Sequence, residues 1–389
     1  MTQMRTALAG PLVFAMNWAM TWAMTPAPAR PAGQTPAAAA AVAKPSADHK
    51  PSADNMTLTA VAGIKVGSVT LSERPTGCTV ILFKDGTTGG VDVRGGAPGT
   101  RETDLLNPVN NVQIINAISL AGGSAFGLDA ASGVMKWLDE RGIGYPVGAS
   151  GVVPIVPAAI LFDLGFGGNP KIRPGADCGY RAAGLASDAP VQEGNVGAGA
   201  GATVGKSGGG RSGPASGGGP MKAGIGSAAI RMPNGLVVAA IVAVNAVGDI
   251  IDPWTGQVVA GARGADGKLL DARRMVRGGG GREGRSGENT TIGLVATNAK
   301  LTKVQAQKMA QMAHDGYARA ISPVHTPGDG DTIFSAATGT WDGTVSYGQV
   351  GALAAEAMAD AVVRAATQAT SSNGLPSARD LGTVPSRFK

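Results

Sequence analysis

The apolar run LVVAAIVAVNAV, residues 236–247, constrains the fold more than any other stretch of the chain. Every residue in it except Asn245 is apolar, so neither face of a strand built from it suits water. Strands that are buried on both faces read as such continuous runs. Residues 222–247 therefore predict two strands, of which the second is covered on both sides.

The other periodic stretches place strands early and in the middle of the chain, with helices beside them. Alternation and turn signals at Asp85-Gly86 and Gly89-Gly90 predict antiparallel strands in 57–70 and 78–93. Further strands are predicted at 291–297 and 332–338, and helices at 124–141, 301–321 and 347–369. This order predicts an α/β (α+β) chain in which helices sandwich antiparallel sheets.

Two of the helices begin with a capping-box pattern, Thr302-x-x-Gln305 and Ser346-x-x-Gln349. The helix at 124–141 is different, because small residues dominate its first half. It is therefore expected to pack closely against a neighbour.

The composition of the 389-residue chain narrows the class of protein. Hydrophobic residues make up 43% and charged residues 15%, which supports a sizeable core. The net charge is +6, but the arginines are scattered and aromatic residues are only 4%, so no nucleic-acid partner is indicated. Glycine, with 61 residues, is about twice as frequent as usual, so glycine motifs match easily by chance.

Residues 1–55 do not read as part of the fold. A basic start at Arg5, an apolar stretch over 7–24 and an alanine- and proline-rich region predict a secretory signal and a flexible linker. The protein is then periplasmic or secreted. A membrane anchor is an alternative, since the apolar stretch reaches the lower limit for a span. Translation from Met56 is another, and it would leave the protein in the cytoplasm.

Cysteine and histidine limit the possible site chemistries. Cys78 and Cys178 are the only cysteines, so a disulfide scaffold or a structural zinc site is excluded, and one disulfide is possible but not required. The three histidines are His49, His314 and His325, which argues against a histidine-rich metal site.

The glycine-rich stretch 197–210 suggests two motifs that fail on inspection. A phosphate loop needs glycine where Ala200 stands, and no helix pattern follows. The span 205–209 satisfies the nucleophile-elbow spacing but lacks the strand and helix that should surround it. Lys206 is notable as a cation in a nearly uncharged stretch, although a solvated loop lysine is the alternative.

Three further polar positions carry both structural and functional interpretations. Asp329 and Asp331 could bind calcium, orient a catalytic amine, or only cap a turn. Asn245 could make a structural hydrogen bond at a strand end or donate to an oxyanion. His325 could act as a base, but no credible serine partner is evident.

Several stretches together resemble the L-aminopeptidase/D-esterase family, which also contains β-peptidyl aminopeptidases and nylon-oligomer hydrolases. The segment ENTTIGLVATNAKLTKVQAQKMAQMAHDGYARAI, followed by HTPGDGDTIF, is similar to the small subunit of that family. Similar stretches precede it in the same order: GGSAFGLDAASGVMKWL, VPIVPAAILFDL, EGNVGAGAGATVGK and VAVNAVGDIIDPWTG. The resemblance covers residues 57–370.

The resemblance implies a precursor that cleaves itself between Asn289 and Thr290. One domain, residues 56–389, would then consist of a large chain ending at 289 and a small chain, 290–389. Thr290 would be the nucleophile, and its free α-amine, which titrates at about 7.7–8 in small peptides, would take the hydroxyl proton. Without the resemblance, Thr290 would be an ordinary threonine at the start of a strand.

The resemblance also assigns roles to the other polar positions. Asp329 and Asp331 match an acidic pair that orients and charges the amine of the nucleophile. Asn245 is assigned to oxyanion stabilisation and Lys206 to electrostatic support of the site. Two positions depart from the pattern: the nucleophile is Thr, as in the nylon-oligomer hydrolases, and Phe162 stands where some members have a tyrosine.

The expected fold is a four-layer α-β-β-α sandwich like that of the N-terminal nucleophile hydrolases. The expected activity is hydrolysis of small peptides or amides with a free amino end. Oligomers of ω-amino acids or esters are alternative substrates. No metal or organic cofactor is implied, and the cleaved two-chain units are expected to form a tetramer. Two rival hypotheses are a non-catalytic ligand-binding scaffold and a serine hydrolase that uses His325.

Overall fold

The run 236–247 forms a strand in the computed structural model, which describes residues 52, 54–208, 218–280 and 288–389. This strand, Val237–Asn245, is buried along its whole length, as its composition predicts. In chain order the strands of the described residues are β1 (Ile64–Thr70), β2 (Gly77–Phe83), β3 (Thr88–Val93), β4 (Thr100–Arg101), β5 (Ala117–Ala121), β6 (Tyr145–Pro146), β7 (Val152–Val153), β8 (Ala158–Ile160), β9 (Thr203–Val204), β10 (Met221–Lys222), β11 (Ile225–Arg231), β12 (Val237–Asn245), β13 (Asp249–Ile251), β14 (Val258–Ala260), β15 (Thr290–Thr297), β16 (Ile321–Ser322) and β17 (Thr332–Ala337). The α-helices are α1 (Ala130–Asp139), α2 (Ala176–Gly184), α3 (Ala272–Arg277), α4 (Lys303–Ala320) and α5 (Tyr347–Thr367). Short 3-10 helices lie at Leu58–Ala60, Asp104–Leu106, Ser124–Asp129, Gly148–Ser150, Gly197–Gly199, Lys206–Gly208 and Ser386–Phe388.

Two five-stranded sheets carry the architecture. The first has the order β1-β2-β5-β8-β4 and the second the order β11-β12-β15-β17-β3. In the second sheet β12 runs antiparallel to β15, and β15 runs parallel to β17. Because β15 is the middle strand, hydrogen bonds from both neighbours hold it in place.

The side chains of β2 and β12 alternate between the apolar layers. Val80 packs with α1 and α2, whereas the next residue, Ile81, lies in the core between the two sheets. Ile241 lies in that same central core, whereas Val242 packs beneath α4 and α5. The layers are therefore helix, sheet, sheet and helix, which confirms the four-layer α-β-β-α prediction.

The strands predicted in 57–70 and 78–93 are confirmed as antiparallel, since β1 pairs with β2 and β3 pairs with β17, but the turn predicted at Gly89-Gly90 is wrong. β2 belongs to the first sheet, whereas β3 crosses to the second and pairs with β17. Gly89 and Gly90 form part of β3 instead of a turn. A Cβ on Gly90 would lie 2.6 Å from the Gln307 backbone nitrogen, so these glycines allow α4 to pack close to the strand.

The helix predictions are confirmed with local changes. The segment 124–141 begins as a 3-10 helix and continues as α1, and residues 58–60 form a 3-10 turn before β1. The capping box of α4 is present, with Thr302 and Gln305 each bonded to the other's backbone. The one predicted for α5 is wrong, because the Ser346 side chain makes no capping hydrogen bond.

A disulfide links Cys78 of β2 to Cys178 of α2, with 6.2 Å between their Cα atoms. The sequence left open whether these two cysteines pair, and in this structure they do. The bond ties a helix of the outer layer to the sheet beneath it.

The segment 1–55, with its predicted signal and linker, lies almost wholly outside the described residues, as does most of the loop 278–287. Within the described part of the chain, no helix has both the length and the apolarity that crossing a bilayer requires.

The small residues of α1 serve close packing, as expected. A Cβ on Gly133 would lie 1.7 Å from the Ala176 carbonyl oxygen, and one on Gly179 would lie 1.8 Å from that of Ala130. The backbones of α1 and α2 are therefore in direct contact.

We predict that Gly133→Ala lowers the free energy of unfolding by about 3 kcal/mol, because the added methyl group must push the helices apart. Gly348→Ala is the matched control, since Gly348 lies in α5 and a Cβ added there would have nothing within 4 Å of it. Alanine there should stabilise by about 0.5–1 kcal/mol. Urea denaturation checks both values, and equal midpoints would contradict the packing argument.

Candidate active site

The junction between Asn289 and Thr290 lies inside the protein. Asn289 is 1% and Thr290 2% exposed. Thr290 is the first residue of β15 and lies opposite Asn245, the last residue of β12. The strand pairing thus fixes both residues at one end of the second sheet.

The carbonyl of Asn289 accepts two hydrogen bonds. The Thr290 hydroxyl Oγ1 lies 2.5 Å from the carbonyl oxygen, and the Gly330 backbone nitrogen donates to the same oxygen at 2.9 Å. A Cβ on Gly330 would lie 2.8 Å from Thr290 Oγ1, so only glycine fits beside the hydroxyl. This arrangement places a hydroxyl group and a fixed backbone donor on the same carbonyl group.

The two predicted carboxylates lie next to this junction. Asn289 forms a parallel bridge with Asp329, and Asp331 Oδ1 accepts from the Thr291 backbone nitrogen at 2.7 Å. Asp329 Oδ2 accepts from the Thr326 nitrogen, whereas its buried Oδ1 has no partner among the described residues. Burial raises the pKa of Asp329 to about 6, and the charge of Asp331 adds to the shift.

Asn245, which lies opposite Thr290 in the sheet, forms a hydrogen-bonded pair with Lys206. Lys206 Nζ donates to both the backbone oxygen and Oδ1 of Asn245, each at 2.8 Å. The Thr203 backbone nitrogen donates to the same Oδ1 at 3.1 Å. Burial lowers the pKa of Lys206 to about 7, although the nearby acidic groups, led by Asp329, favour its charged form.

The amide of Asn245 does not contact the Asn289 carbonyl in this uncleaved chain. Its Nδ2 donates to the carbonyl of Phe162 at 2.8 Å and more weakly to that of Glu288 at 3.4 Å. The backbone of Phe162, not its ring, thus makes the contact with the site. The backbone donor on the Asn289 carbonyl is Gly330, which sequence analysis did not single out.

A buried ion pair supports the segment that carries Phe162. Arg74 donates to Asp163 Oδ1 at 2.7 Å, and both side chains are fully buried. Asp163 also accepts from the Thr76 hydroxyl and from the Gly123 nitrogen. An aspartate within the apolar stretch PAAILFDL was the available signal, because a buried charge requires a partner.

Lys222 is a second support that sequence analysis missed. It is fully buried, and its Nζ donates to the carbonyls of Gly199, Ala202 and Ala223. Burial lowers its pKa to about 7. Lys222 pairs with Thr203 across β9 and β10, so it holds the turn that presents the Thr203 nitrogen to Asn245.

The described residues do not have the geometry that a His325 triad, a nucleophile elbow or a metal site would need. His325 contacts Asp331 and no serine, so the described residues contain no Ser-His-Asp triad around it. Lys206 to Gly208 form a 3-10 turn after Gly205, instead of the helix of a nucleophile elbow, and position 209 lies outside the described residues. Within the described ranges no group of three or more His, Cys, Asp or Glu side chains could hold a metal ion.

Comparison with known sequences identifies relatives along most of the chain. Residues 56–379 match peptidase family S58. An uncharacterized aminopeptidase of Mycobacterium leprae is 41% identical, over 77% of this chain and 84% of that protein. A 6-aminohexanoate-oligomer endohydrolase of Kocuria sp. is 31% identical, over 78% of this chain and 84% of that enzyme.

Two solved structures share the fold. The L-aminopeptidase D-Ala-esterase/amidase of Ochrobactrum anthropi, described as a variant of the Ntn hydrolase fold, has a TM-score of 0.62 at 17% identity, over 88% of this chain and 98% of that one. A β-aminopeptidase of Burkholderia sp. has a TM-score of 0.60 at 20% identity, over 87% and 96%. The predicted likeness to N-terminal nucleophile hydrolases is confirmed.

We predict that Arg74→Met destabilises the protein by about 3–5 kcal/mol, because Asp163 would remain buried without its ion-pair partner. Arg181→Met is the control, since its pair with Asp177 is largely exposed and such pairs contribute little. Urea midpoints of the two variants measure the difference. A midpoint for Arg74→Met as high as that of the control would contradict a supporting role for the ion pair.

Proposed function

We propose a function for this chain on the premise that it belongs to peptidase family S58. As a member it is a peptide-bond hydrolase with aminopeptidase and nylon-oligomer hydrolase relatives. Our proposal goes further: the chain cleaves itself before Thr290, and Thr290 then acts as an N-terminal nucleophile. The observation that carries it is the Thr290 hydroxyl, 2.5 Å from the oxygen of the carbonyl it would attack.

Burial of the junction favours self-cleavage over cleavage by another protease. Proteases cut exposed, extended loops, whereas Asn289 and Thr290 are almost fully buried. A partner protease could not reach this bond without unfolding part of β15. The reacting groups must then come from the chain itself.

The contacts support a sequence of steps for the proposed self-cleavage. Thr290 Oγ1 attacks the Asn289 carbonyl carbon, and the negative charge that forms on the carbonyl oxygen is stabilised by the Gly330 N–H. The bond from that carbon to the Thr290 nitrogen breaks, and this nitrogen takes the hydroxyl proton to become an amine. Water then hydrolyses the ester, which releases the Asn289 carboxylate and restores the Thr290 hydroxyl.

In substrate turnover, the new α-amine of Thr290 is the base that accepts the hydroxyl proton. Asp329 and Asp331 hold that amine, and the unpartnered Asp329 Oδ1 is available for the contact. Lys206 supports the site electrostatically. When Glu288 departs with the end of the large chain, Asn245 Nδ2 loses one acceptor and becomes a donor for the oxyanion of the substrate.

We infer substrates that are small peptides or amides with a free amino end. A linear ω-amino-acid oligomer or an ester is the second candidate, favoured by the identity with 6-aminohexanoate-oligomer endohydrolases and by the threonine nucleophile. A non-catalytic binding scaffold is the rival from another class. Assays with an aminoacyl p-nitroanilide and with 6-aminohexanoate oligomers separate these candidates. The first substrate tests the peptide or amide activity, the second tests the oligomer activity, and a non-catalytic scaffold would hydrolyse neither.

We also propose a periplasmic or secreted location and a homotetramer of cleaved units. The Cys78–Cys178 disulfide supports the location, because disulfides persist in oxidising compartments. Cell fractionation tests the location, and a count of free thiols in the purified protein tests whether the disulfide is present. Sedimentation of the cleaved protein tests the tetramer.

The experiment that tests the proposed function compares Thr290→Ala with Thr290→Ser. We expect the alanine variant to remain a single chain and to hydrolyse nothing, because it has no hydroxyl. The serine variant should still cleave and turn over, since it keeps the attacking oxygen. Denaturing gels and p-nitroanilide assays read out both steps. If wild type stays whole and inactive, or if the alanine variant cleaves, the proposal fails.

A second prediction separates the two oxyanion donors. Asn245→Ala should leave chain cleavage intact, because Gly330 is the donor on the scissile carbonyl, but should lower kcat about 10²- to 10³-fold. Thr203→Val is the control, since it removes only the long 3.4 Å hydrogen bond from the Thr203 hydroxyl to Asn245 Oδ1 and leaves the backbone nitrogen that binds the same oxygen. An Asn245→Ala variant that hydrolyses substrate at the wild-type rate would contradict the assignment.

A further inference from the structure

We propose that His325 is a positioning residue for this enzyme: its Nδ1–H holds the Asp331 carboxylate in the orientation that the nucleophile requires. The inference rests on the proposed function for its effect on rate and deepens it by one residue. His325 Nδ1 lies 2.9 Å from Asp331 Oδ2, and the His325 backbone nitrogen donates to the same oxygen at 3.1 Å. One residue thus fixes that oxygen from two directions.

The other oxygen of Asp331 faces the nucleophile strand. Asp331 Oδ1 accepts from the Thr291 nitrogen, one residue beyond the scissile bond. The carboxylate therefore bridges His325 to the start of β15. If Oδ2 were released, the carboxylate could rotate, and Oδ1 would no longer be held at the amine end of the nucleophile.

The surroundings of His325 determine which ring nitrogen carries the proton. The carboxylate Oδ2 only accepts, so the Nδ1 that faces it must donate. Nε2 is buried and has no hydrogen-bond partner among the described residues. The structure therefore assigns the Nδ1–H tautomer to neutral His325.

A second histidine covers the ring. The His314 and His325 centroids are 4.7 Å apart in an edge-on arrangement, and His314 Nε2 lies 3.0 Å from the Asp92 carbonyl, to which it donates. Burial lowers the pKa of His314 to about 4, so it is neutral at physiological pH. The Tyr317 ring, 6.1 Å from His325 between centroids, packs on the same side.

Three other charged residues lie near His314 and His325. They are Asp92 and Arg94 at β3, with Arg94 paired to Asp92, and Asp329 in the loop of His325 itself. Within the described part of the chain, the acidic side chain that His325 contacts is that of Asp331.

The backbone at His325 supplies a clean pair of variants. Its φ is +56°, a left-handed conformation that alanine disfavours but asparagine and glycine tolerate. In His325→Asn the side-chain amide nitrogen takes nearly the place of Nδ1 and keeps a donor for Asp331. In His325→Gly the backbone conformation is kept and the donor is lost.

We expect His325→Gly to lower kcat about 10- to 100-fold with KM changed by less than about twofold, because the carboxylate is misplaced while substrate contacts remain. His325→Asn should retain kcat within about threefold. Both variants lose the ring that packs against His314, so a role in ring packing alone predicts similar losses in the two. Equal losses in both variants, or wild-type rates in both, would overturn the proposal.

A measurement on the unsubstituted protein keeps the test independent of folding and of activity. The chain has three histidines, so histidine-selective ¹⁵N labelling gives few signals, and His325→Asn assigns one of them. We expect the neutral form of the His325 ring to carry its proton on Nδ1, with a signal that shifts in Asp331→Asn. A proton on Nε2 alone would overturn the proposal even if wild type cleaves and turns over. If wild type does neither, the proposed function fails and the tautomer still decides this contact.

Discussion

The contact between the Thr290 hydroxyl and the Asn289 carbonyl is the interaction on which the rest of the site depends. A threonine at the end of a surface loop would sample many positions relative to its own backbone. Here the residue begins the central strand of a five-stranded sheet, with β12 on one side and β17 on the other. The strand restricts the hydroxyl, and the Gly330 N–H donates to the same carbonyl oxygen.

The polar groups around this contact lie within a mostly apolar framework, and each is stabilised locally. Asp163 is neutralised by Arg74, Asp331 is held by His325 and Thr291, and Lys222 is surrounded by carbonyl oxygens. Lys206 and Asp329 have pKa values that burial moves toward neutrality. Groups with such shifted pKa values cluster at functional sites, which agrees with the function proposed for this one.

Much of the fold follows from local sequence patterns. The run 236–247 could only be a doubly covered strand, and Thr302 with Gln305 does start α4. The turn predicted at Gly89-Gly90 was wrong because a glycine pair is typical of a turn, and the sequence does not show that a helix packs against these two glycines. Ser346 failed as a cap because the spacing alone does not fix the side-chain rotamer.

The resemblance predicted which residues of the candidate site lie close together, but not which contacts they make. The junction, the acidic pair, Asn245 and Lys206 lie together, as the resemblance implied. The direction of the Asn245 amide, the Gly330 donor and the Arg74–Asp163 pair depend on residues tens of positions apart. No local pattern encodes those contacts. His325 drew notice as a possible base, but only the fold shows that its ring faces Asp331.

Time-resolved intact mass of freshly translated protein tests the central claim most directly. The account predicts two chains that appear by first-order kinetics, at a rate independent of protein concentration. Their masses should sum to the precursor plus one water, and the smaller should begin at Thr290. A chain that stays whole, a rate that rises with protein concentration, or a smaller chain that begins at another residue would contradict it.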